Sequence, residues 1–159
     1  LFKGDIQNNI TYGTKDSVPY DDPRIQRALD IAQADFVKQL KQGVRTEVAQ
    51  GGTNFSGGQK QRLSIARAIF KDAEILIFDD SFSALDYKTD MLVRKAIKEQ
   101  LTEKTVFIVA QRIGTIRNAD KILVLDNGKI VGQGKHAELM KNCPVYKEIA
   151  LSQLSKEEL

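Results

Sequence analysis

The sequence predicts an α/β fold in which a helical first half is followed by part of a parallel sheet and a closing hairpin. Three patterns carry this. Apolar residues in the first half recur at helical spacing, at Ile25, Leu29, Ala32, Phe36 and Leu40. In the second half, short apolar runs such as Ile75–Phe78 and Val106–Ala110 alternate with helical stretches, as in a parallel sheet with crossover helices. Between two further runs, Asn127-Gly128 is a strong hairpin turn signal.

Taken in order, residues 1–20 mix polar and aromatic types with Gly4 and Gly13, and are expected to be an irregular connection. Asp22-Pro23 supplies a helix N-cap followed by proline at the first helical position, and the spacing predicts one amphipathic helix over 23–41, ended by Gly43. Residues 44–55 suit a loop with a short strand. Ser56-Gly57-Gly58 opens a second helix to about Phe70, with Leu63, Ile65, Ala66 and Ile69 inward. Glu74–Asp79 is expected to be a buried parallel strand, Tyr87–Leu101 a helix, Thr105–Ala110 a second buried strand and Lys121–Leu125 a third, paired with Lys129–Gly134. Residues 135–142 and 144–154 are helical in pattern, with Pro144 at the junction. The change of pattern divides the chain into 1–70 and 71–159. Neither part contains a repeat or a low-complexity segment.

Composition narrows the function classes. Of the 159 residues, 42% are hydrophobic and 28% charged, which suits a soluble domain with a packed core. No apolar run approaches the ~20 residues of a membrane span. The first residues lack the basic and apolar regions of a signal peptide, and with no initiator methionine the chain is expected to begin inside a longer protein. The formal charge of +3 is dispersed, whereas a nucleic-acid binder concentrates basic residues in a stripe, so no nucleic-acid partner is expected. The one dense basic region, Lys60–Arg67, falls on a helix, where the bland reading is a solvated face. A single cysteine, Cys143, permits no internal disulfide, fits a reducing compartment and lacks metal-ligating neighbours.

Two segments carry chemistry. In Asn54-Phe55-Ser56-Gly57-Gly58-Gln59, a serine and two glycines precede a helix. The hydroxyl and unpaired backbone N–H groups at such a start attract anions, and the glycines let a phosphate approach closely. An ordinary serine cap explains the same residues. In Ile75-Leu76-Ile77-Phe78-Asp79-Asp80, carboxylates end a buried strand, where nucleotide-binding sheets can hold Mg²⁺. Alternation turns Asp79 and Asp80 differently, so one can serve a metal and the other an attacking water. A helix-capping pair is the plain alternative.

Together these residues resemble the ATP-binding domain of ABC transporters. Phe55-Ser56-Gly57-Gly58-Gln59, with Gln61-Arg62 and Ala66-Arg67-Ala68, is similar to the family's signature motif and helix. Ile75–Asp79 is similar to its Walker B strand, and Ser83-Ala84-Leu85-Asp86 to its D-loop. Leu1–Ile6, with Asn9-Ile10 and Tyr12-Gly13, resembles the stretch after the Q-loop. Thr46-Glu47-Val48 with Gly51-Gly52 resembles the exporter X-loop, which lies beside the membrane domain. Gly128–Gly134 and His136–Leu139 resemble the closing hairpin and helix, where a structural role is expected for His136.

The resemblance implies a P-loop NTPase fragment without its phosphate-loop strand: 1–70 as helical subdomain with X-loop and signature helix, 71–159 as the C-terminal part of the ATPase core. It implies ATP and Mg²⁺ as ligands, with Asp79 on the metal, Asp80 and Gln111 as catalytic positions, and Ser56, Gly57, Gly58, Gln59, Ser83 and Asp86 facing nucleotide. It implies a second nucleotide-binding domain and transmembrane domains as partners, at the cytoplasmic face of a membrane. The phosphate loop, the adenine-stacking aromatic residue and the Q-loop glutamine are not in this sequence. The isolated chain is therefore expected to bind ATP weakly and to be inactive alone, with a sheet edge exposed to self-association.

The signature is intact apart from Phe55, where leucine is usual in the family, and two further departures matter more for mechanism. The family has glutamate after the Walker B aspartate, where this chain has Asp80, one methylene shorter. It has histidine at the end of the next strand, where Gln111 stands. A ~1 Å misplacement costs about 10²-fold in rate, and loss of a general base ~10²–10⁴-fold. Glutamine can still hydrogen-bond a phosphate but does not titrate near neutral pH. The resemblance thus implies the degenerate half of a heterodimeric exporter. A soluble ABC ATPase acting on ribosomes or DNA, and a non-hydrolysing regulatory domain, are the alternatives.

Overall fold

The computed structural model describes residues 1–154. The described residues fold into two compact units, 1–109 and 110–154. The packing boundary follows the second strand of the parallel pair, whereas the 70/71 division expected from sequence follows motif content.

The first unit opens with a short strand β1 (Gly4–Asp5) and a helix α1 (Ile6–Ile10), in a stretch expected to be irregular. Asp5 caps α1 through the Asn8 amide at 2.6 Å, and Ile6 and Ile10 are fully buried. The polar composition hid an element that buries two polar residues, Gln7 and Asn9, beside its two isoleucines. β1 pairs antiparallel with β2 (Glu47–Val48).

The helix expected over 23–41 is two helices, α2 (Pro23–Ile31) and α3 (Phe36–Gln39). Gln33 takes φ 54, its amide donates to the Asp30 carbonyl at 3.1 Å, and the Ala34 amide donates to the Leu29 carbonyl at 2.8 Å. These two bonds are a Schellman ending, a structure glycine usually terminates. Here Arg62 Nη1 donates to the Gln33 carbonyl at 2.9 Å and holds the left-handed residue from outside its own helix. The apolar rhythm survives the break because Ala34 and Val37 also point into the core.

α4 (Gly57–Phe70) packs against α1 and α2 and buries Leu63, Ile65, Ala66, Ile69 and Phe70. Its basic side chains do not form the solvated face expected. Arg67 Nε donates to the Asn9 carbonyl at 2.6 Å and Nη2 to the Asn9 Oδ1 at 2.9 Å, with the guanidinium 5.2 Å from the Phe2 ring centroid. Arg62 lies 4.9 Å from the Phe36 ring centroid. The planar guanidinium satisfies several carbonyls and stacks on rings, so it suits a partly buried helix flank.

β3 (Ile75–Asp79) and β4 (Thr105–Val109) pair in parallel with Ile75 opposite Thr105, joined through α5 (Tyr87–Gln100). The strands are not buried on both faces as expected. Leu76 and Phe78 turn into the core with Val93 and Ile97 of α5, whereas Ile75, Ile77, Phe107 and Val109 are 51–68% exposed. Within the described residues the sheet is two strands wide, and nothing of this unit covers its second face.

The second unit holds α6 (Ile113–Ile116), the hairpin β5 (Ile122–Asp126) and β6 (Lys129–Gly134), α7 (His136–Asn142) and α8 (Pro144–Gln153). Asn127 (φ 47) and Gly128 (φ 75) are both left-handed, as the tight hairpin turn requires. Ile113, Ile122, Val124, Leu139, Cys143, Tyr146 and Ala150 make its core. A Cβ on Gly132 would lie 2.7 Å from the Cys143 Sγ, so the buried thiol occupies space that glycine leaves. His136 Nδ1 lies 2.8 Å from the Tyr146 hydroxyl, which ties α7 to α8 and gives His136 the structural part expected of it.

Presented alone, the 159-residue chain is expected to self-associate through the open face and edges of β3 and β4. Phe107→Lys should shift sedimentation velocity toward the monomer, and unchanged association would place the contact elsewhere.

Candidate functional site

The start of α4 is built by reciprocal capping. Ser56 Oγ accepts from the Gln59 amide at 3.3 Å, and Gln59 Oε1 accepts from the Ser56 amide at 2.9 Å. The ordinary cap is therefore present. It leaves the Ser56 hydroxyl proton available to an outside acceptor, since the oxygen is the acceptor in the cap. The next two residues lack side chains, so an approaching anion meets backbone. Asn54 fixes the entry: its Oδ1 accepts from the Ala49 amide at 3.0 Å and its Nδ2 donates to the Glu47 carbonyl at 2.8 Å. The Thr46-Glu47-Val48 segment is thereby tied to the α4 start. Val48 is fully buried, and the Thr46 carbonyl accepts from the Ile6 amide at 3.1 Å.

Against this start lies the acidic turn that follows β3. Gly57 and Gly58 face Ala84: a Cβ on Gly58 would come within 3.2 Å of the Ala84 carbonyl oxygen, and one on Gly57 within 3.5 Å of the Ala84 Cβ. The structure thus brings Ser56, Gly57, Gly58 and Gln59 together with the turn that carries Asp79, Asp80, Ser83 and Asp86. The glycines serve this internal contact as well as any ligand, and sequence alone does not reveal that use.

Asp79 closes β3 on the same face as Ile75 and Ile77, and its carboxylate is exposed. The strand stops there. Asp80 is not turned by strand alternation, as expected, but by a left-handed backbone at φ 47, with its amide donating to the Val109 carbonyl at 3.0 Å. Aspartate tolerates this region better than most residues because its short polar side chain can bond locally. Ser83 Oγ donates to the Asp80 carbonyl at 3.0 Å and closes the turn.

Asp86 is the N-cap of α5. Thr89 gives it both the side-chain hydroxyl at 2.7 Å and the backbone amide at 3.0 Å. These bonds, the hydroxyl first, hold the Asp86 carboxyl below the usual carboxylate range. A ligand would have to share Asp86 with its helix.

Gln111 belongs to the second unit. Its carbonyl accepts from Gln153 Nε2 at 2.8 Å, while Gln153 Oε1 accepts from the Ile113 amide at 2.8 Å. One α8 side chain thus holds both sides of the segment before α6, a partner that sequence spacing gives no hint of across 42 residues.

Among the described residues no group of three or more His, Cys, Asp or Glu side chains could cage a metal ion. The donor set still fits a magnesium ion that keeps its water and takes one carboxylate, Asp79, with phosphate oxygens supplying the rest. No described helix is long and apolar enough to cross a membrane.

Comparison with known proteins gives a consistent result. A family model described as ABC transporter matches residues 5–83. An uncharacterized ABC transporter ATP-binding protein of Mycobacterium tuberculosis is 45% identical over 153 residues, 96% of this chain and 26% of that protein. The ATP-dependent lipid A-core flippase of Ralstonia nicotianae is 43% identical over 147 residues, 92% of this chain and 25% of that protein. A solved structure of a bacterial Atm1-family ABC exporter with ATP bound superimposes with a TM-score of 0.90 at 36% identity, covering 98% of this chain and 27% of that one. The chain therefore spans only 25–26% of the length of these curated relatives.

Two outcomes are expected of this site. Gly58→Ala should push the Ala84 carbonyl away by a few tenths of an ångström and loosen the turn, read as faster hydrogen exchange across 80–86; unchanged exchange would mean that the contact is soft. For Asp86 the folded pKa lies below the unfolded one. Its capping contribution is thus fully present above the ordinary carboxylate range, near pH ~4, and is lost as pH falls through the folded value. Asp86→Asn should keep α5 capped and flatten the fall of the urea midpoint at acid pH.

Proposed function

The chain belongs to the ABC transporter family, as part of the ATP-binding component of an exporter, and from that premise we propose how its residues act. The observation that carries the proposal is the α4 start docked on the acidic turn, which puts an anion-seeking helix end and a set of carboxylates within one compact unit. Residues 1–70 serve as the helical subdomain and 71–159 as the C-terminal part of the ATPase core. The substrate is ATP with Mg²⁺, and the complete protein couples ATP binding and hydrolysis to export across a membrane, from its cytoplasmic face. The partners are a second nucleotide-binding domain and transmembrane domains.

Ser56, Gly57 and Gly58 bind the terminal phosphate of ATP held by the partner domain. The Ser56 hydroxyl donates outward, and the helix end adds a favourable field. Gln59 keeps Ser56 oriented through the capping box. On the chain's own nucleotide, Asp79 would hold the magnesium ion, which neutralises charge on the phosphates. Asp80 would hold the attacking water and accept its proton, while Gln111 donates a hydrogen bond to the terminal phosphate. Ser83 and Asp86 keep the turn in shape at the domain interface. The Thr46-Glu47-Val48 segment, pinned to the α4 start by Asn54, carries motion toward the membrane domains.

The shorter Asp80 and the untitratable Gln111 support a site that binds nucleotide and hydrolyses it slowly, within a heterodimer whose other site is hydrolytic. A second reading has its own observation. The left-handed backbone at residue 80 favours aspartate, so the short side chain can be a conformational accommodation in a working homodimer.

Turnover separates the two. The complete nucleotide-binding domain, without a partner chain, should hydrolyse Mg-ATP far more slowly than an Asp80→Glu, Gln111→His double variant that binds ATP and dimerises equally. The expected gap is about 10²-fold or more. Equal turnover would sink the degenerate-site proposal and favour the homodimer.

A further inference from the structure

We propose that Gln61 is a positioning residue that locks the first turn of α4 to the acidic turn after β3 and so fixes the spacing between Ser56–Gly58 and Asp80. The inference rests on the functional reading of those two segments given above.

The Gln61 amide is used on both sides. Its Nε2 donates to the Asp80 carbonyl at 3.2 Å and to the Ser83 Oγ at 3.0 Å, and its Oε1 accepts from the Ala84 amide at 2.8 Å. Three positions of one turn are therefore held by one side chain. Only an amide of this length supplies the set: glutamate lacks the donors, lysine lacks the acceptor and asparagine falls one methylene short.

Asp80 is where such a hold matters. Its φ of 47 belongs to a region few non-glycine residues occupy, and surrounding bonds must maintain it. The peptide group before Asp80 is fixed by the Val109 carbonyl at 3.0 Å, and the one after it by Gln61 and Ser83. With both groups held, the direction in which the Asp80 Cα–Cβ bond leaves the backbone is set. The approach of Gly58 to the Ala84 carbonyl brings α4 close enough for Gln61 to reach.

The test uses the full-length transporter with Gln61→Met, which keeps the length and packing of the side chain and removes its donors and acceptor, and Gln61→Ala. Hydrogen exchange of the peptide spanning 80–86, followed by mass spectrometry, should be about tenfold faster in both variants, as for the loss of one or two net hydrogen bonds. Exchange in α2 and α5 should match wild type and shows that the variants are folded. ATP turnover should fall at least about tenfold in kcat, with KM within about twofold, because Gln61 positions Ser56–Gly58, which complete the hydrolytic site, without itself touching nucleotide.

A Met variant that behaves like wild type in exchange and turnover reduces Gln61 to packing and overturns the proposal. Faster exchange with unchanged kcat overturns it as well, since the lock would then carry no function. If the wild-type transporter itself hydrolyses no ATP, the functional reading has failed, and unaltered exchange across 80–86 is then the result that overturns the lock.

Discussion

Helix α4 is the member against which the rest of the first unit is fixed, and its polar flank does the fixing. Three successive attachments leave it: Gln61 to the turn after β3, Arg62 to the left-handed break after α2, and Arg67 to Asn9 beside α1. Each ends on a backbone carbonyl that regular structure leaves open: Asp80, Gln33 and Asn9. A part-buried carbonyl without a donor costs about as much as a lost hydrogen bond, so the segments at Gln33 and Asn9 depend on the two arginines, while at the exposed Asp80 Gln61 adds to the bond from Ser83. The apolar side of the same helix supplies Leu63, Ile65 and Ala66 to the core. One helix thus sets both the packing of the unit and the conformation of its loops.

This dual use explains what was legible in the sequence. The α4 helix, the β3 and β4 strands, α5 and the hairpin at Asn127-Gly128 were all readable, because each rests on local signals: a cap, a period, an apolar run or a turn pair. The break at Gln33 was not. Nothing local favours a left-handed glutamine, and the donor that stabilises it stands 29 residues away. The basic run on α4 was misread for the same reason. Charge suggests solvent, yet a guanidinium on a helix flank can serve buried carbonyls and rings at once. The early α1 helix escaped because two isoleucines and an aspartate cap are too few residues to show a period.

The candidate site divides along the same line. Its chemical inventory could be read from residue types and motif order. Its construction could not. The glycines after Ser56 suggested room for a phosphate, and the structure adds that they admit the Ala84 carbonyl. Asp80 suggested strand alternation, whereas its direction comes from a left-handed residue held at both peptide groups. Asp86 suggested a nucleotide contact and is engaged as a helix cap. In each case a residue type permits two uses, and the fold adds the internal one beside any contact with a ligand.

The exposed apolar face of β3 and β4 bears on the same chemistry. Asp79 ends the row formed by Ile75 and Ile77 on that face. A carboxylate beside apolar surface is weakly screened once that surface is covered, which strengthens its attraction for a cation and raises the cost of leaving it unpaired. The strength of any metal interaction at Asp79 therefore depends on what packs over Ile77 and Phe107. Covering the sheet would strengthen any cation binding at Asp79, because the same side chains that exclude water from the apolar row would also remove it from the carboxylate.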